Sequence, residues 1–220
     1  LIFRAVDKLF ESKKALENNG CGNWKVDLSI EMLEVYNERV GDLMTDVEED
    51  LVVNENEVVG SSVVKVESVG DVRRVLDIAQ NRRVSKATDS NDVSSRSHLI
   101  FTMMFDATNL KTESMSRRGK LNICDLCGSE RLSKSNANKR GDLLKETQCI
   151  NSSLSTLATV VEKLQQKSDH VPFRDSKLTY LLQNSLSGDS KTLAIVCCNP
   201  LPAHYHESLC SLRFASRVNR

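Results

Sequence analysis

The chain has 220 residues, with 30 Lys and Arg against 30 Asp and Glu, so its formal net charge is zero. That length suffices for one sizeable domain and does not exclude two, and 40% hydrophobic with 27% charged residues reads as soluble and globular. Zero net charge excludes a generally polybasic or polyacidic protein while leaving local patches open. No apolar run approaches a membrane span and no basic-plus-apolar N-terminal signal is present, so no membrane is expected as partner; no nucleic acid is expected either. The chain opens Leu1-Ile2-Phe3-Arg4 rather than on Met, as expected of a processed chain or a fragment.

In chain order, Ile2, Val6, Leu9 and Phe10 recur at helical spacing. A turn-rich stretch, Asn18 to Gly22, precedes Val26 to Met32, where apolar and polar residues alternate as in a half-buried strand. Residues 42–57 hold seven acids and no Lys or Arg and read as a solvated acidic loop. Val63, Val64 and Val66 predict a short strand, and Asp71 to Arg83 a helix with Val72, Val75, Leu76 and Ala79 on one face. Leu99 to Phe105 and Leu121 to Leu126 read as buried strands joined by a polar, hairpin-like connection at Lys111 to Arg118. From Ile150, apolar residues at 154, 157, 160, 161 and 164 predict a long amphipathic helix. Ser176 to Leu186 predicts a second helix closed by Gly188, Leu193 to Cys198 a fully apolar strand, and Glu207 to Val218 a final helix. The mixture argues an α/β layered domain.

The seven cysteines are odd in number and spread out, unlike a disulfide framework. Cys124 and Cys127 form a CxxC pair with no second pair to complete a zinc site. Buried, reduced thiols in a reducing cytosolic setting are expected.

Two segments concentrate polar chemistry. Asn91-Asp-Val-Ser94-Ser95-Arg96-Ser97-His98 lies directly before a buried strand and can offer hydroxyls to a metal or phosphate and a guanidinium to a carboxylate. On composition alone a polar surface loop is the favoured explanation. Asp125-Leu-Cys-Gly128-Ser-Glu130-Arg131 places an Asp at the carboxyl end of a strand and a Gly after it. Phosphate-hydrolysing P-loop proteins use that arrangement, the Asp reaching Mg²⁺ through water and the Gly admitting a backbone N–H to the γ-phosphate. A strand-end turn with a capping Asp would look the same.

Taken together these segments resemble switch I and switch II of the kinesin motor domain. Further matches follow in order: Tyr36-Asn37-Glu38 with Asp42-Leu43; Asn81-Arg82 before switch I; Leu144-Lys145-Glu146 with Ile150-Asn151 and Ser153-Leu154 at the relay helix. His170-Val-Pro172-Phe-Arg174-Asp175-Ser176-Lys177-Leu178-Thr179 resembles the loop and helix facing tubulin, and Leu212 to Val218 the last motor helix. The resemblance covers nearly the whole chain and implies an α/β, three-layer, P-loop NTPase-like kinesin motor fold. It implies an ATPase that uses ATP and Mg²⁺ and moves along microtubules, in the cytoplasm on the microtubule cytoskeleton or spindle.

By residue, the resemblance implies that Asn91, Ser94, Ser95, Ser97 and Asp125 lie at the nucleotide, with Ser95 and Asp125 at Mg²⁺, Asp125 through water. Arg96 and Glu130 would form a gate salt bridge that positions attacking water, and Gly128 would sense the γ-phosphate. Lys134, Lys139, Arg140, Lys145, Arg174 and Lys177 would face tubulin. Eight basic against three acidic residues from Lys111 to Arg140 suit an acidic filament. The stretch from Lys177 to Leu193 looks most like the minus-end-directed subfamily with a C-terminal motor. Dimerisation would use a stalk outside this chain.

The departures matter. No two glycines are five apart, and Gly119-Lys120 has Ser114 where the first Gly of G-x-x-x-x-G-K-[ST] should stand. Residues 1–10 resemble the helix that follows the P-loop, so residues 1–220 are expected to be a partial, N-terminally incomplete motor domain. Alone they are expected to fold poorly and bind ATP weakly. Cys127, Leu143 and Ser152 replace a usual Ala, Arg and Lys. Two other readings stay open: a non-hydrolysing microtubule-binding relative that has lost the P-loop, and a generic nucleotide-binding α/β domain.

Overall fold

Period-two alternation in one long strand sets the layout. In the computed structural model, β1 runs Trp24–Tyr36 and pairs along most of its length with β6, His98–Asn109, in an antiparallel register that sets Met32 opposite Phe101 and Leu33 opposite Ile100. Side chains two apart share a face. Val26, Leu28, Ile30 and Met32 therefore join Phe101, Met103 and Ala107 on one side, and Leu33, Val35 and Ile100 lie on the other. The structure describes residues 1–18, 23–47, 49–54, 57–85, 96–112, 115–128 and 141–218.

Helices cover both faces. Helix α1, Ile2–Asn18, buries Val6 and Phe10, and α2, Val69–Ser85, buries Val72, Val75 and Ala79 against the first face. Helix α3, Gly141–Gln165, presents Leu157 to the second face, joined there by Leu178 of α4, Lys177–Leu181. Three layers result, as the sequence predicts. The remaining strands are β2 (Arg39–Asp42), β3 (Val52–Asn54), β4 (Glu57–Val59), β5 (Val64–Val66) and β7 (Ser116–Asp125). The main sheet follows the order β2-β1-β6-β7, with β5 also on β1, and every ladder described is antiparallel. The short helix α5 (Gln183–Leu186) and the 14-residue α6 (Tyr205–Val218) follow, and Gly188 takes φ +77 just after α5, where only glycine turns without strain.

Three expectations are corrected. Residues 42–57 are not simply a solvated loop: β3 and β4 pair there, and Asp42 is buried, its carboxylate accepting from the backbone N–H of Met44 at 2.7 Å and of Ser62 at 2.8 Å. The helix expected over 176–186 is broken at Leu182 into α4 and α5, preceded by a 3₁₀ turn at Phe173–Asp175. The apolar stretch Leu193–Cys198 forms no strand and lies open, with Leu193 83% and Ile195 62% exposed. Backbone groups form a strand only with a neighbour to bond, and this stretch pairs with none of the described strands. Against the expectation of buried thiols, Cys197 and Cys198 in this stretch and Cys210 on α6 are exposed, whereas Cys127 is buried and Cys124 half-buried.

Candidate functional site

The β6–β7 ladder does the assembling. Leu99 stands opposite Asp125, so the amino end of β6 and the carboxyl end of β7 lie side by side. Two segments far apart in sequence, the one ending at Ser97 and the one starting at Leu126, therefore leave the sheet at the same end. Ligands gather at such strand ends in α/β sheets.

The first segment is anchored by a buried ionic cluster. Ser97 is 0% exposed, and its hydroxyl donates to Glu34 Oε1 at 2.6 Å. Arg83, at the carboxyl end of α2, donates to Ser97 Oγ and Ser97 O, each at 3.0 Å, and to Glu34 Oε1 at 3.2 Å. Arg83 and Glu34 are both buried, so the pair neutralises charge that would otherwise be costly to desolvate. Arg83 Nη1 also reaches within 3.9 Å of Asp125 Oδ2, while that carboxylate stays 75% exposed at the strand end. Its neighbour Arg82 donates to Asp46 Oδ1 at 2.8 Å and to Leu43 O at 3.0 Å, fixing α2 to the loop after β2.

His98 follows in β6 and is 3% exposed. Its Nδ1 accepts the backbone N–H of Cys127 at 3.1 Å, and its Nε2 lies 2.9 Å from Ser153 Oγ on α3. An accepting Nδ1 puts the ring proton on Nε2, which then donates to the Ser153 hydroxyl. Burial, and secondarily the Arg83 charge, pull its pKa down to about 4, so the ring is neutral near pH 7. Burial alone raises the Cys124 thiol to about 11, which keeps it protonated and a poor nucleophile.

Of the residues singled out in the sequence, Ser97, Asp125 and Gly128 are brought to this end of the sheet, and Arg96 precedes Ser97 there. Asn91, Ser94, Ser95, Glu130, Lys134, Lys139 and Arg140 lie outside the described residues. Lys145 falls in α3, its side chain outside the description. Arg174 lies in the 3₁₀ turn Phe173–Asp175 and Lys177 at the start of α4. Arg174 is exposed, with its guanidinium 5.5 Å from the centroid of the Tyr180 ring. The Lys177 backbone N–H donates to Glu38 Oε2 at 2.7 Å, and the Ser176 hydroxyl donates to Glu38 Oε1 at 3.0 Å.

Sequence reasoning gave no site role to Glu34, Arg83 or Ser153 and no capping part to Glu38. Arg83 bonds partners 49 and 14 residues away, and no local pattern announces such pairs. Asn37 and Glu38 form a two-residue turn with φ 51 and 58 between β1 and β2, and the Glu38 carboxylate bonds Ser176 and Lys177.

Residues 1–220 match the family described as the kinesin motor domain. The kinesin-like protein KIN-14M of Arabidopsis thaliana is 46% identical over 236 residues, covering 100% of this chain and 31% of that protein. Carboxy-terminal kinesin 2 of Xenopus laevis is 42% identical over 233 residues, covering 100% of this chain and 35% of its own length. Among solved structures, the motor domain of kinesin-like protein KAR3 from Saccharomyces cerevisiae superposes with a TM-score of 0.82 at 36% identity, covering 100% of this chain and 67% of that one. A structure described as a fast kinesin gives 0.87 at 37% identity, covering 99% of this chain and 61% of that one. The chain belongs to the kinesin motor domain family. It spans about a third of the length of the curated relatives it matches.

Proposed function

We propose that residues 1–220 are part of an ATP-driven microtubule motor and form the later portion of its motor domain. One observation carries the reading: the Leu99–Asp125 register sets Ser97 and Leu126, where the two switch-like segments join the sheet, at one end of neighbouring strands. A loop at each strand end can then answer the same phosphate, which is what coupling hydrolysis to movement requires.

Asp125 suits its expected role, since an exposed carboxylate at a strand end can accept from metal-bound water. Mg²⁺, when bound, offsets phosphate charge during phosphoryl transfer. Asp125 would hold it through water, with Ser95 as a direct ligand. Asn91 and Ser94 would contact the nucleotide, and Gly128 would admit its backbone N–H to the γ-phosphate. Arg96 and Glu130 would close over the attacking water. Ser97 would act by holding its segment against Glu34 and Arg83, because its hydroxyl is already committed there.

The chain carries no G-x-x-x-x-G-K-[ST] loop, so the phosphate cradle of this motor would come from residues outside 1–220. The open apolar stretch at Leu193–Cys198 supports that incompleteness, since added central strands would give it a partner. Lys134, Lys139, Arg140, Lys145, Arg174 and Lys177 would meet tubulin. Movement would be minus-end-directed, on cytoplasmic or spindle microtubules, with dimerisation through a stalk elsewhere in the protein. The missing loop also favours a second reading, a microtubule-binding relative that does not hydrolyse ATP.

Co-pelleting of the full-length protein with microtubules, with and without Mg-ATP, separates these readings. The motor reading expects pelleting that weakens or strengthens with nucleotide. Pelleting indifferent to nucleotide supports the second reading, and no pelleting contradicts both.

A further inference from the structure

We propose that His98 is a positioning residue that ties the strand-end backbone at Cys127–Gly128 to helix α3, so that a shift of one is passed to the other. The inference rests on the motor reading above. Three segments meet at this one ring: β6 carries it, the chain just past β7 donates to its Nδ1, and α3 offers the Ser153 hydroxyl to its Nε2. All three residues are buried, with His98 and Ser153 3% and Cys127 5% exposed, so water does not compete for these bonds.

The base of the tie is fixed. His98 stands opposite Val35 in the β1–β6 ladder, and its neighbour Ser97 is locked to Glu34 and Arg83. Movement of the Cys127–Gly128 backbone therefore either breaks the Nδ1 bond or turns the ring, and turning the ring disturbs the bond to Ser153. Gly128 is the residue expected to sense the γ-phosphate and α3 the helix expected to carry the response, so the tie spans the two. Only a neutral ring fits, because a proton on Nδ1 would face the Cys127 N–H donor to donor.

The test uses the full-length protein and steady-state ATPase kcat with and without microtubules, together with KM for ATP. Ser153→Ala removes only the helix end of the tie, and His98→Asn keeps a short acceptor while losing the reach to Ser153. Each is expected to lower the ratio of microtubule-stimulated to basal kcat at least five-fold, with KM for ATP within two-fold of the parent. The double variant should fall no more than two-fold below the worse single one, since both act through one tie. Ser153→Thr, which keeps the hydroxyl, should return the ratio to within two-fold of the parent. A stimulation ratio unchanged in Ser153→Ala, losses that multiply in the double variant, or no recovery in Ser153→Thr would each overturn the proposal and leave the motor reading standing. A parent showing no stimulation at all would overturn both. Should His98→Asn fail to fold, the Ser153 pair decides alone.

Discussion

Glu34 and Arg83 meet inside the protein, where a lone charge is costly, and Ser97 shares their bonds. Arg83→Met leaves the Glu34 carboxylate buried without its cation and is expected to cost about 3–5 kcal/mol. Adding Glu34→Leu removes the orphaned charge and should recover most of that loss, so chemical unfolding of the two variants checks the claim. Losses that simply add would show that the pair is not acting as one. His98 gives a pH signature at the same scale. Its folded pKa of about 4 lies below the ordinary 6.5, so the unfolded chain takes up this proton first. Stability is then level above about pH 6.5 and falls as pH drops towards about 4, by about 3 kcal/mol in full. Urea unfolding across that range should show a shallower slope in His98→Asn than in the parent. Neither effect can be read from the sequence, because it shows an Arg at the end of a helix and a His at the start of a strand without what each touches.

At the scale of elements, Glu38 links the β1–β2 turn to α4, with one oxygen on the Ser176 hydroxyl and the other on the Lys177 N–H. Ser176 in turn caps α4 by accepting from the Leu178 N–H at 3.2 Å. Glu38→Ala removes both links and should cost about 1 kcal/mol, in the range of a lost helix cap. Because Arg174 and Lys177 flank that cap, microtubule affinity in co-pelleting should weaken at least three-fold, and an unchanged affinity would contradict the link. Most elements were legible for a local reason. Val26, Leu28, Ile30 and Met32 alternate because one face of β1 is buried under α1 and α2, and residues 157 and 160 repeat because one stripe of α3 is. The hairpin at β3–β4 was not legible, since its acidic composition hid Val52, Val53, Val58 and Val59. The break at Leu182 was missed as well: α4 and α5 share one apolar run, and periodicity does not mark where a helix bends.

At the scale of the whole molecule, zero net charge conceals a division between an acidic stretch at 42–57 and basic segments after β6 and at Arg174 and Lys177. Leu193–Cys198 makes a related point. Its strand-like composition was plain, yet a strand needs a neighbour, and neighbours are a property of the assembled sheet. The switch-like segments were legible as motifs, while the side-by-side placement of Ser97 and Leu126, where they join the sheet, needed the β6–β7 register. Under the motor reading, these neighbouring strand ends serve ATP hydrolysis coupled to a microtubule track. The most direct measurement is ATPase activity of the full-length protein with and without microtubules, beside Glu130→Ala and residues 1–220 alone. Strong stimulation is expected in the parent, with at least a hundred-fold (~10²) less activity in Glu130→Ala and none in residues 1–220. Equal activity with and without microtubules, or full activity in Glu130→Ala, would contradict that reading.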